Sequence, residues 1–348
     1  MPAARLSTST SRRQFLTLLG ISAAAVSCGT ATATGGGSGA GSGSQIKTLK
    51  YQGSVGQVSL PELAADLGYF EDVKLEWVGN TTSGPQDIQT AATGQTHFGS
   101  AFNGAVIKLA AGKAPIKAVI SSYGSDQYSY AGYFVLEDSP IRSARDLIGK
   151  KVGMNTLGAH YQALLDTYLS RNGLSKADAA KVEPLVIPPV NTEQALRAKQ
   201  IEVGVLTGIL RDKAVASGGI RPLFTDVELL GPFSAGTYIM TERFIKQNPD
   251  TVRTFTTGVA KAIEWSRTTP REEVVARMTE IVKKRGRNED TTALQYWRSY
   301  GIAETGGRIP DKEFQLWLDW LGERGEIKPG QFKPSDLYTN EFNAYGKG

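Results

Sequence analysis

The chain reads as an α/β protein of two lobes, each a mostly parallel sheet flanked by helices, with a helical C-terminal region. Three observations predict this. Strand and helix patterns alternate as βαβαβαβ from Gln45 to Tyr123, and the alternation restarts between about 138 and 230. The last 110 residues then carry helical periodicity almost throughout. The strand ends are rich in Gly, Ser, Thr and Asn, the residue types that parallel sheets present to small ligands.

Taken in order, "QIKTLKYQG" alternates as a strand, and "SLPELAADLGYF" is a helix with a Ser59/Glu62 capping box and Pro61 in its first turn. "VKLEWVG" is a strand. "SGPQDIQTAATG" is a helix with a Ser83/Gln86 start and a Gly94 stop. "HFGSAF" is a strand, "NGAVIKLAAG" a helix capped by Asn103, and "IKAVISSY" a strand. In the second unit, Tyr161, Leu164, Leu165, Tyr168 and Leu169 mark one face of a helix that Gly173 stops. "KVEPLVIP", "IEVGVLTG" and "IRPLF" are strands alternating with helices, and "AGTYIMT" is a returning strand. Helices are expected over 241–247, 249–268, 270–285, 290–300 and 310–323, where Trp265, Trp297, Trp317 and Trp320 read as packing residues.

The N-terminus reads as an address. "SRRQFL" at 11–16 resembles the twin-arginine export signal, and the apolar run that follows is about a dozen residues, short of the ~20 needed to span a bilayer. Cys28, the single cysteine, closes "AVSCG" and resembles a lipobox, so lipidation at Cys28 is expected and disulfides are excluded. The segments are then a signal over 1–28, a Gly/Ser-rich tether over 29–45, lobe 1 over 46–135 plus 237–348, and lobe 2 over 136–236. Arg5, Arg12 and Arg13 lie in the leader; without them, 36 basic residues face 34 acidic ones. The high charge is partly a leader effect, and nucleic acid is not an expected partner. "KKRGR" at 283–287 reads as a solvated helix end.

The cleft between the lobes is where a ligand is expected, at the carboxyl ends of the strands. Ser54 and Gln57 lie in "GSVGQ", Ser83 in "NTTSG", and Phe102 and Asn103 in "SAFNG". Asn155, Thr156 and His160 lie in "NTLGAH", and Thr207 in "LTG". Tyr123 and Tyr128 follow the fourth strand, where an apolar ring with a polar tip suits a wet cleft. Arg211 stands where it can pair with a carboxylate or sulfonate. His97 is far from any Cys or second His and reads as a local hydrogen-bonding residue. No catalytic residue, metal ligand or cofactor is assigned, and "GSVGQV" has the wrong spacing for a dinucleotide fingerprint.

From Ile46 to about Phe332 the chain resembles the substrate-binding proteins of ABC importers for nitrate, sulfonates, taurine and thiamine-pyrimidine-type ligands. The resemblance rests on "LPELAADLGYFEDVKLEWV", "GPQDIQTAATGQTHFGSAF", "VLEDSPIRSARDLIGKKVGMNTLG", "YLSRNGLSKAD", "TEQALRAKQIEVGVL" and "FIKQNPDTVRTF", in that order. It implies a two-lobed type II periplasmic-binding fold, an exported monomer at the outer face of the membrane, and delivery of a small solute to a permease with its ATPase. The solute is either a sulfonate-like anion or a neutral heteroaromatic compound. His97 stands where the family commonly has Asp, and "GVLTGIL" lacks the family's aromatic and Pro. The same fold resembles a eukaryotic pyrimidine synthase that consumes its own histidine and uses pyridoxal phosphate. The export signal, the tether and the absence of that enzyme's cysteine-rich motif place an enzyme second. A solute sensor serving a signalling partner is the third reading.

Overall fold

The computed structural model describes residues 45–346. The signal, Cys28 and nearly all of the tether lie outside them. The first unit opens with β1 (Thr48–Gly53), α1 (Leu60–Asp66), β2 (Lys74–Asn80) and α2 (Gly84–Ala92), followed by β3 (Gly99–Phe102), α3 (Asn103–Ala111) and β4 (Ile116–Ser125). The chain then crosses into β5 (Ala131–Leu136), β6 (Lys151–Met154), α4 (His160–Arg171), α5 (Lys176–Ala179) and β7 (Glu183–Val186). Next come α6 (Pro189–Arg197), β8 (Val203–Thr207), α7 (Gly208–Ala216), β9 (Ile220–Thr225) and α8 (Asp226–Leu230). It returns through β10 (Phe233–Thr241) to α9 (Glu242–Gln247), α10 (Pro249–Thr268), α11 (Arg271–Lys284) and α12 (Lys312–Glu323).

Local chemistry explains several starts and stops. Ser59 and Glu62 form the expected capping box, with Ser59 N–H donating to Glu62 Oε2 at 2.9 Å. Ser83 is the N-cap of α2, but its side chain makes no cap bond. Asn103 is not a cap. Phe102 occupies that position, and Asn103 is the first helical residue, its side chain drawn inward to the backbone of Glu313 at 3.3 Å. The helix expected over 290–300 is only a 3₁₀ turn, Thr292–Tyr296.

Parallel pairing holds between β1 and β2, and between β6 and both β7 and β8. β10 runs antiparallel to β3 and β4 in a three-stranded sheet, and β5 antiparallel to β8 and β9 in a five-stranded one. The reason is the path: β5 and β10 are the strands that follow the two crossings, so each enters its sheet from the opposite end. His97 joins β1 to the segment before β3. Its N–H donates to Lys50 O at 2.9 Å, and its Nδ1 accepts from Lys50 N–H at 2.8 Å. The imidazole is a local hydrogen-bonding group, as expected.

One core cluster includes Ile88, Val106 and Ala118 on the side of the three-stranded sheet, and Val152, Leu164 and Val205 around the five-stranded one. Phe314, Trp317 and Leu321 of α12 belong to it. A second cluster packs β1 and α1 against α10 and α11. A Cβ on Gly258 of α10 would lie 2.4 Å from the Phe70 ring, so only glycine permits that close approach.

Candidate ligand-binding site

The polar centre of the molecule is His160, the first residue of α4. It is 6% exposed, and neither ring nitrogen has a hydrogen-bond partner within the protein. Aromatic rings surround it. Phe102 stacks at 5.1 Å between centroids and Tyr161 at 5.0 Å, while Phe233 and Trp317 present edges at 5.9 and 6.1 Å. Tyr123 lies at 6.1 Å, and Gly236 makes room for its ring, since a Cβ there would sit 2.2 Å from Tyr123 Cε1. Burial lowers the His160 pKa to about 3, so the ring is neutral and offers one donor and one acceptor.

Further unpartnered atoms adjoin this ring cluster. Asn103 is fully buried with its Oδ1 free, and Glu313, 3% exposed, has a free Oε2. Glu313 Oε1 accepts from Ser234 N–H at 3.0 Å, and burial raises this carboxyl to about 7. Trp317, one turn along α12, has an unpartnered Nε1 and packs its ring 4.6 Å from Phe102. Buried polar groups are nearly always paired. Here five such atoms, on four residues linked by direct contacts, are left without a protein partner.

A cavity of about 40 Å³ is lined by Asn155, Tyr161, Pro189, Thr192, Thr207 and Leu210 among others. Asn155 and Thr207 follow or end β6 and β8, so the strand-end expectation places them correctly. Thr156 is half-buried in the same loop as Asn155.

The other sequence candidates are dispersed. Ser54 is half-buried and Gln57 exposed in the loop after β1. That loop is tied down by Glu289, which accepts from Gly56 N–H at 2.7 Å, and by Arg285, which donates to Gln57 O at 2.6 Å. Ser83 is half-buried at the start of α2. The Tyr128 side chain is 53% exposed. Arg211 is buried, but its guanidinium is engaged by Asp212, Tyr130 O and Tyr128 O and stacks 3.7 Å above the Tyr130 ring. Every guanidinium nitrogen is engaged within the protein.

Sequence reasoning missed Tyr161, Phe233, Glu313 and Trp317. Glu313 and Trp317 are four apart on α12, a helix spacing that puts them on one face, but nothing local says which face meets His160. "KKRGR" is only partly a solvated end. Arg285 is buried between Glu62 at 2.7 Å and Glu289 at 3.0 Å, and Arg287 lies 3.8 Å over the Trp77 ring. Those partners stand more than 200 residues away or across a loop, beyond any local pattern.

An antiparallel three-stranded sheet and a mixed five-stranded one, joined by two crossings with helices on their faces, match the fold of solved periplasmic binding proteins. A solved alkanesulfonate-binding protein from Xanthomonas axonopodis pv. citri aligns with TM-score 0.64 and 18% identity, covering 85% of this chain and 99% of that one. A periplasmic nitrate-binding protein from Synechocystis PCC 6803 aligns with TM-score 0.65 and 15% identity, over 85% of this chain and 87% of that one. The profile of the NMT1/THI5-like family matches residues 62–273, more than half the chain, and the chain belongs to that family. A Brucella abortus protein named only as a binding protein is 26% identical over 298 residues, 82% of this chain and 87% of its own length. A Saccharomyces cerevisiae 4-amino-5-hydroxymethyl-2-methylpyrimidine phosphate synthase is 24% identical over 302 residues, 81% of this chain and 82% of its own.

Proposed function

We propose that the protein is an extracytoplasmic solute receptor of an ABC importer, exported by the twin-arginine route and held at the membrane by lipid on Cys28. Residues 46–125 with 233–348 form one lobe and 131–230 the other, because β5 pairs in the five-stranded sheet and β10 in the three-stranded one, which moves the expected boundaries at 135 and 237 by a few residues; a small organic ligand binds between them and stabilises their closure. The carrying observation is the ring-walled group of unpartnered atoms on His160, Asn103, Glu313 and Trp317, contributed by both sides of the crossings. A ligand that contacts both lobes favours the closed form by its differential affinity.

The same observation favours a neutral heteroaromatic ligand over a sulfonate-like anion. The imidazole is uncharged, Arg211 is engaged elsewhere, and the walls are aromatic. Mass spectrometry of small molecules released from the purified protein identifies the ligand, and calorimetry then compares His160→Ala and Asn103→Ala with wild type. Each hydrogen bond lost weakens binding by roughly 0.5–1.5 kcal/mol, and affinity changes little with salt. Wild-type affinity in both variants, or a steep fall with salt, overturns this reading. Small-angle scattering records a smaller radius with ligand than without if closure is the mechanism.

For the anchor, Cys28→Ser releases the protein from the membrane fraction; retention there argues against lipidation. The yeast relatives favour one other reading, an enzyme on the same fold. Conversion of the identified ligand into a new compound by the purified protein would establish it.

A further inference from the structure

The chain passes between the three-stranded and five-stranded sheets twice, through residues 126–130 and 231–232. One carboxylate links the first crossing to the helix that leads into the second. Asp226 opens α8, the short helix that leads directly into the second crossing. It accepts from Ser125 Oγ, at the last residue of β4, and from Ala131 N–H, at the first residue of β5, the latter at 3.0 Å. Both ends of the first crossing are therefore fastened to the first residue of α8, the five-residue helix that runs into the second.

Arg211 fastens the middle. From α7 it donates to Tyr130 O at 2.9 Å and to Tyr128 O at 2.7 Å, and its Nε donates to Asp212 at 2.8 Å. Asp126 closes the loop on itself, accepting from the N–H groups of Tyr128 and Ser129 at 2.7 Å each. Its second oxygen accepts from Ser299 Oγ at 2.6 Å, which ties the first crossing to the C-terminal segment. The side chains of Arg211, Asp226 and Asp126 are all satisfied.

We propose that Asp226 and Arg211 form a hinge pin that ties the two crossings into one mechanical unit, so that neither bends without the other. This goes beyond the solute-receptor reading, because it concerns the ligand-free chain and holds whatever the ligand is. The pin has a proton-dependent bias. Burial pushes Asp226 up to about 6, against opposing pulls from Ser125, the Ala131 and Val227 N–H groups and Arg211. The groups facing it are Arg211 on α7, Tyr133 on β5 and Tyr161 on α4; Asp212 pairs with Arg211, and Arg171 of α4 donates to Leu229 O on α8. A solvated Asp226 in an opened hinge has an ordinary carboxyl pKa, so the pinned form holds the proton more tightly. Acid therefore favours the pinned form, and rising pH through about 6 favours opening.

Hydrogen exchange on the full, ligand-free chain tests this. Asp226→Ala is expected to accelerate exchange about tenfold or more in both 126–131 and 231–236, while amides of α1 and α10 keep wild-type rates. Asp226→Asn keeps an acceptor for Ala131 N–H. It is expected to retain protection but lose the pH dependence that wild type shows between pH 5 and 7 after correction for intrinsic exchange. Acceleration confined to 126–131, acceleration spread evenly over both sheets, or an unchanged pH dependence in Asp226→Asn overturns the proposal.

Discussion

Two buried polar regions of this protein are built on opposite terms. At the crossings, Arg211 pairs with Asp212 and two backbone carbonyls, while Asp226 and Asp126 accept from backbone N–H groups and serine hydroxyls. Around His160, polar atoms of comparable burial face rings and find no protein partner. An unpaired buried donor or acceptor carries a desolvation penalty of about 1–3 kcal/mol, so the second region is held at a loss, which a guest molecule would offset under the proposed function. The difference assigns Arg211 to the framework and leaves the His160 region as the one with unmet polar groups, which is what the proposed function rests on.

The largest expected effect breaks the saturated region. Arg211→Ala strands Tyr128 O and Tyr130 O and leaves Asp212 and Asp226 without their buried cation. Urea unfolding is expected to show a loss of about 3–5 kcal/mol. A loss near zero would mean that Arg211 is a surface charge in disguise.

His160→Phe sharpens the comparison with the opposite sign. It fills the ring cluster and removes two unpartnered nitrogens, so the ligand-free protein is expected to gain about 1–2 kcal/mol while binding falls. Destabilisation in urea would mean that His160 is paired in solution and that the two regions do not differ.

The smallest effect is on pH dependence. Burial raises Asp87 and Glu313 to about 7 and Asp226 to about 6. The folded state thus holds protons that the unfolded chain has released. This stabilisation is complete below the ordinary carboxyl range and is lost as pH rises through 6 to 7. His160, lowered to about 3, has the opposite sign, but its contribution changes only between about 3 and its unfolded value. The urea midpoint is therefore expected to fall between pH 6 and 8, with a shallower slope in Glu313→Gln. An identical slope in that variant would show that Glu313 does not titrate there.

Much of the fold was legible because local patterns carry it. The Ser59/Glu62 box, the Gly94 and Gly173 stops and the periodicity of 249–268 depend on residues within a few positions of one another. Asn155, Thr207, Phe102, Asn103 and His160 lie at strand ends and helix starts as expected, because those are local features too. Glu313 and Trp317 were not legible as site residues. Their helix was predicted, but its orientation against His160 is fixed by packing more than 140 residues away in sequence.

The sequence by itself determined the α/β alternation, the strand ends and the family, because each follows from short-range spacing or from ordered motifs. Only the tertiary structure decided which polar groups are paired. Arg211 reads in the sequence as a cation placed to pair with a ligand, and Arg285 as part of a solvated helix end; both are buried in networks. His160 reads as a helix start facing the cleft and is enclosed by rings. Pairing depends on what burial brings within about 3 Å, and that distance is set by the packing of remote segments, which no local pattern encodes.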